Sequence, residues 1–170
     1  MKKAPIVLTL MALAMLASAQ QPAQKSNAEN AFDQLKTLAG DWQATAVENG
    51  KEMSAPLAFR VASGGSALMA HLAAGSEHEM ITMFHRDGED LLATHYCLIG
   101  NQPRMRAVAG SDPSIISFEF KDATNLPSPA APHMGGVKFT IIDANHHVEE
   151  WTVVANGQTT IRKFDCRRKQ

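Results

Sequence analysis

The chain has 170 residues, enough for one domain with a sizeable core, and its 16 basic against 17 acidic side chains give a formal charge of −1 with histidines neutral. That balance excludes nucleic acid and anionic membrane as principal partners, because both require a basic face. Beyond the N-terminal apolar run, no segment is long and apolar enough to be a transmembrane helix, so no membrane insertion is expected.

The first residues read as an export signal. Lys2 and Lys3 form a positive start, Ile6 to Leu16 is an apolar run too short to span a bilayer, and Ala17-Ser18-Ala19 is a small-x-small cleavage site. Residues 1–19 are therefore expected to be a signal peptide, and the mature chain to begin at Gln20. No cysteine follows the cleavage site to carry a lipid. Losing Lys2 and Lys3 leaves 14 basic against 17 acidic residues, a charge of −3. The expected location is periplasmic or secreted. Residues 20–26 are polar and read as a disordered linker. Residues 27–170 read as one domain without internal repeats.

A short helix opens that domain. Asn27 suits an N-cap, Ala28, Ala31, Phe32, Leu35 and Leu38 recur at helical spacing, and Gly40 suits a stop just past the last turn. After Gly40 the apolar period becomes two. About ten strands are predicted, near 41–48, 55–62, 66–74, 77–85, 90–99, 103–109, 114–121, 136–143, 147–155 and 158–166, separated by Gly, Asn, Asp and Pro turns. Short sequential strands with tight turns read as an antiparallel meander. Such a meander removes its edges most simply by closing, so the fold class is all-β: a single antiparallel up-and-down barrel with a short N-terminal helix.

Three turns set register. A turn at Gly64-Gly65 places Val61, Phe59 and Leu57 opposite Leu68, Ala70 and Leu72 on one apolar face, with Arg60, Met69 and His71 on the other. A turn at Asn156-Gly157 places Glu150 opposite Lys163 and Thr152 opposite Ile161 on a solvent face. Glu149, Trp151, Val153, Arg162 and Phe164 then point inward, with Glu149 and Arg162 as an internal pair, since a buried charge needs a partner. A turn at Asp87-Gly88 places Phe84, Thr82, Met80 and His78 opposite Leu91, Ala93, His95 and Cys97. This last register brings His78, His95 and Cys97 onto one face. Such a set is a weak metal candidate, a weak Cys–His nucleophile, or a buried cysteine between hydrogen-bonded histidines; the last reading is favoured.

Thr94 to Met105 concentrates reactive and binding groups in one strand–turn–strand. His95 and Tyr96 face opposite ways, so at most one of them lines a cavity. Arg104 and Arg106 share a face and suit a carboxylate or phosphate grip, or surface ion pairs. Cys166 is the only other cysteine, and an export compartment permits a Cys97–Cys166 bridge. Asp122 to Gly136, with Pro127, Pro129 and Pro132, reads as a long loop over a barrel mouth. His133 and Met134 end it, and His133 reads as a loop-surface residue. His146-His147, after Asp143-Ala144-Asn145, reads as a solvated turn.

Leu38-Ala39-Gly40-Asp41-Trp42, between helix and first strand, resembles the Gly-x-Trp entry of lipocalin-like (calycin) barrels. The resemblance implies that Trp42 closes one barrel end and that an arginine near the last strand, Arg167 or Arg168, packs over it. A wider set also resembles a group of exported bacterial lipocalin-like proteins with no assigned activity. That set is His95-Tyr96-Cys97, Gly100-Asn101-Gln102-Pro103-Arg104-Met105, Thr124-Asn125-Leu126, His133-Met134 and Glu149-Glu150-Trp151. No histidine here lines up clearly with the axial ligand of nitrobindin-type haem barrels.

The function expected from these features is binding of a small apolar or amphipathic ligand in the barrel, with His95, Tyr96, Arg104, Asn125, Glu149 and Trp151 around its polar end. No catalytic residue, cofactor or metal is assigned, and no protein partner is identified. The alternatives are a hydrolase or isomerase using His95 with Cys97 or Glu149, a metal or haem barrel, and a filled structural or interaction barrel.

Overall fold

The computed structural model describes residues 25–170; the expected signal peptide and most of the expected linker lie outside them. Helix α1 (Asn27–Lys36) is capped by Ser26 rather than Asn27. The Ser26 Oγ accepts the Glu29 amide proton at 3.2 Å, which satisfies one of the open donors of the first turn. Thr37 caps the other end, so Gly40 does not stop the helix; it opens the first strand instead.

Ten strands follow: β1 (Gly40–Glu48), β2 (Lys51–Ala62), β3 (Ala67–Leu72), β4 (Met80–Asp87), β5 (Asp90–Tyr96), β6 (Gln102–Val108), β7 (Ile115–Thr124), β8 (His133–Asp143), β9 (His146–Ala155) and β10 (Gln158–Arg168). Each pairs antiparallel with its chain neighbours, and β1 with β10, giving one closed barrel. Asn49–Gly50 and Asn156–Gly157 have positive φ at both positions, as type I′ hairpins require.

Two predicted registers hold: Leu57, Phe59 and Val61 lie opposite Leu72, Ala70 and Leu68, and Glu150 and Thr152 lie opposite Lys163 and Ile161. The β4–β5 register does not. The loop is Gly88–Glu89, with the positive φ at its first position, so Asp87 faces Asp90 and Thr82 faces His95. The slip is two residues, which preserves which side chains point inward but changes their partners. His78 falls before β4 and is exposed, and Cys97 falls after β5. The convergence of His78, His95 and Cys97 is therefore overturned. Both cysteines are free thiols, and no Cys97–Cys166 bridge forms.

Helix α1 and the strand ends beside it seal one end of the barrel. Trp42 is fully buried, and its indole N–H donates to the Leu38 carbonyl at 2.7 Å. The Arg168 guanidinium lies 4.2 Å from the Trp42 ring centroid and donates to the carbonyls of Thr37, Ala39 and Ala144. One side chain thus ties helix, first strand and last strand together, and the arginine expected over Trp42 is Arg168. Above this plug Phe59, Leu68, Phe84, Leu91, Met105 and Phe139 fill the lower barrel, each with almost no exposed surface. Three aromatic contacts link Phe84, Phe118 and Phe139.

The opposite end carries the β1–β2 and β9–β10 hairpin tips and the 97–101 and 125–132 loops, and it is looser. The β1–β10 ladder runs only from Trp42–Arg168 to Thr45–Asp165. Beyond it, Gln158 to Lys163 and Lys51 to Ser54 are exposed on both faces. The two strand tips are joined there by Arg162, which donates to Glu48 at 2.9 Å. Arg162 is consequently exposed at the open end, and the expected internal pair with Glu149 does not form.

Candidate functional site

The alternation of β5 and β9 sends polar side chains into an otherwise apolar barrel. From β5 comes His95, and from β9 come His147, Glu149 and Trp151 at successive inward positions. Thr82 on β4 and Cys166 on β10 lie opposite His95 and His147 respectively. All six are buried.

Near the open end, Thr82 Oγ1 and His95 Nδ1 are 2.9 Å apart. Burial pushes the His95 pKa down to about 4, so the ring is neutral at physiological pH. Its Nε2 has no hydrogen-bond partner among the described residues. A neutral imidazole carries one donor and one acceptor, so one hydrogen-bonding atom of His95 is left over inside the barrel. The ring lies 5.1 Å from that of Trp151.

One layer deeper, the Trp151 indole N–H donates to Glu149 Oε2 at 2.8 Å, and Glu149 Oε1 lies 3.2 Å from His147 Nε2. Nε2 is therefore the His147 atom turned toward the carboxyl group, and Nδ1 is turned away from it. That Nδ1 has no partner among the described residues. The His147 ring is wedged edge-on against Trp42, with centroids 4.4 Å apart. The Cys166 thiol, directly opposite, has its pKa raised by burial and by the nearby charge of Glu149. It donates only weakly, to the Phe164 carbonyl at 3.9 Å.

The predicted site residues divide between inside and outside. His95, Glu149 and Trp151 line the interior. Tyr96 is half-exposed on the outer face. Arg104 is exposed and ion-paired with Asp122, and Arg106 pairs with Asp90 at 3.4 Å; neither faces the interior. Asn125 takes a left-handed conformation and donates to the Gly100 carbonyl at 3.3 Å and to Gln102 at 3.1 Å, bracing two open-end loops. Asn101 reinforces them by donating to the Pro132 carbonyl at 2.7 Å. His95 is hydrogen-bonded to Thr82 and to neither Cys97 nor Glu149, the partners that an acid–base pair would need.

Sequence reasoning missed His147 and misplaced His133. The turn is Ala144–Asn145, so His146 and His147 are strand residues, and His147 is fully buried. His133 is the first residue of β8, buried against Phe120 with ring centroids 4.8 Å apart. The signal for His147 was the alternation of Trp151 and Glu149 carried one step further.

A surface cleft of about 730 Å³ runs between α1 and residues 107–116 at the sealed end. None of the inward-facing polar residues line it, and its Lys25 and Asp33 pair with each other at 2.5 Å.

No protein-family model matches the chain, and no curated protein matches it. Among solved structures, it is similar to Rv2717c from M. tuberculosis, with a TM-score of 0.54 and 16% identity over 82% of this chain and 98% of that one. The likeness is one of fold: a chain of β-strands closed into a single barrel.

Proposed function

We propose that this is an exported, lipocalin-like binding barrel that takes a small, largely apolar and uncharged molecule through its loose end, with His95 fixing the molecule's polar head. The observation that carries this reading is the unpaired Nε2 of a buried, neutral His95. A buried polar atom without a partner costs about 1–3 kcal/mol, and a ligand hydroxyl or carbonyl would remove that cost. The surroundings support an apolar body for the ligand. Ala46, Ala55, Leu72, Met80, Met134, Val153 and Phe164, inward-facing near the open end, are only half-buried. Tyr96, Leu98, Ile99 and Phe120 add exposed apolar surface at that end. An uncharged head follows from the electrostatics: His95 is neutral, Arg104 is outside, and Arg162 is already paired with Glu48. The packed lower barrel confines the ligand to the upper half.

The test is binding of 1-decanol, 2-decanone and decanoic acid at pH 7.5, read by native mass spectrometry and by Trp151 fluorescence. The alcohol or the ketone is expected to bind, the acid at least tenfold more weakly, and His95→Phe to weaken the neutral ligands about tenfold through one lost hydrogen bond. Equal binding of all three by wild type and His95→Phe, or binding of none, would overturn the reading.

A further inference from the structure

Beneath His95 lies a second cluster that the binding reading does not use. His147 and Cys166 are directly opposed across the β9–β10 ladder, and Glu149 is the next inward residue of β9. One ligating atom from each of the three lies within 4.8 Å of the others, and among the described residues this is the only such group of three or more histidines, cysteines and carboxylates. From these side chains we infer that the barrel core holds a zinc-like divalent cation, ligated by His147, Glu149 and Cys166.

Three independent features point the same way. The first is the donor set: imidazole, carboxylate and thiol are the ligand types of zinc sites, and the thiol and imidazole select against magnesium and calcium. The second is the incomplete bonding of the empty cluster. His147 is fully buried with Nδ1 unpartnered, and Cys166 is fully buried with one weak contact. Nε2 is the imidazole atom turned toward Glu149, so a cation would take its lone pair and the poorly bonded thiol, with the ring proton carried on the unpartnered Nδ1. The third is charge. A dication with one thiolate, one carboxylate and one neutral imidazole is electrically neutral, so the assembled site can be buried without a net charge. Loading is a simple exchange: the cation displaces the Cys166 thiol proton, which leaves to solvent, and no electron is transferred. Three side-chain donors leave one tetrahedral position for water or a small ligand.

The surroundings already orient the ligands. Trp151 holds one Glu149 oxygen, His147 is wedged against Trp42, and Phe59 packs edge-on to the His147 ring with centroids 5.7 Å apart. Outer contacts of this kind fix the ring and carboxylate of a metal site.

The experiment uses the whole chain carrying Cys97→Ser, which leaves Cys166 as the only thiol. Because the cluster is buried, the protein is unfolded and refolded with zinc or cobalt(II), then dialysed. One zinc per chain is expected by elemental analysis. The cobalt form is expected to show a thiolate-to-cobalt charge-transfer band and the d–d bands of tetrahedral cobalt. Cys166→Ala should abolish the charge-transfer band and weaken zinc binding on the order of 100-fold, and Glu149→Gln should weaken zinc while keeping that band. Circular dichroism shows which variants refold, and His147→Gln supplies a second ligand variant if Cys166→Ala does not. A refolded chain without stoichiometric zinc or a charge-transfer band overturns the inference. Undiminished zinc binding by the refolded ligand variants overturns it equally.

Discussion

Burial sets the charge of His95, and the charge sets a pH dependence. An unfolded chain protonates this histidine near its ordinary value of 6.5, whereas the folded one resists down to about 4. Between those limits the unfolded state binds the extra proton, so stability falls as pH falls from 6.5 to 4 and is fully regained above 6.5. The loss is on the order of 3 kcal/mol at 1.36 kcal/mol per pH unit. Hydrogen bonds from Lys25 and His71 hold Asp33 and Glu79 low, and those carboxylates lose their contribution mostly at more acid pH. Urea unfolding of wild type at pH 7 and 4.5 should therefore show a clear drop that His95→Gln largely removes. Equal pH sensitivity in the two proteins would mean that His95 is not neutral in the fold.

At the scale of elements, the junction of α1, β1 and β10 is closely packed around Trp42 and Arg168. Gly40 has φ +140°, and a Cβ there would collide with the Arg168 guanidinium. Alanine at this position must strain its backbone or push Arg168 off Trp42. Gly40→Ala should cost about 3 kcal/mol, summing backbone strain and a lost cation–π contact, measurable by denaturant unfolding. A loss under 0.5 kcal/mol, roughly that of an inert surface change, would show that Arg168 does not seal this end. The sequence pointed to this junction through the resemblance of Leu38 to Trp42 to a lipocalin-like entry, which implied an arginine over Trp42, whereas Gly40, read as a helix stop, opens β1. The Asn156–Gly157 hairpin was legible because its demand is local: two adjacent residues that tolerate positive φ. Its register, continued toward the chain end, already sets His147 opposite Cys166. What hid the pair was His146-His147 itself, two polar residues after Asp-Ala-Asn, which read as turn although β9 had begun. The β4–β5 loop misled differently: glycine fits either position of a two-residue loop, and moving Gly88 to the first slid every partner by two. Arg104 was expected at the ligand's polar end but points outward, and its pairing with Asp122 depends on a bulge between Arg104 and Met105.

Across the whole molecule the barrel is stiff at one end and loose at the other, and this gradient is what a binding role requires. The sealed end has Trp42 with no exposed surface, three carbonyls held by Arg168, and a ring of fully buried side chains. At the open end β1 and β10 separate, and one exposed ion pair between Arg162 and Glu48 spans the gap. Exposed pairs contribute about 0–1 kcal/mol, so that pair cannot hold the strands against thermal opening. Local opening should therefore be inexpensive for Ala46–Glu48 and Gln158–Lys163, while Trp42–Ala44 and Cys166–Arg168 open only on global unfolding. Amide hydrogen exchange tests this within single strands: the two ends of β10 should differ in protection by several orders of magnitude, with the boundary near Asp165, where pairing to β1 begins. Uniform protection along β10 would mean that β1 and β10 move as one closed wall, and entry would then have to be through the 97–101 and 125–132 loops. A molecule bound against His95 would raise protection in the lower half of β10 by the factor 1 + [L]/Kd, because exchange there requires global unfolding and release of the molecule, and would raise the upper half where local opening also breaks its contacts.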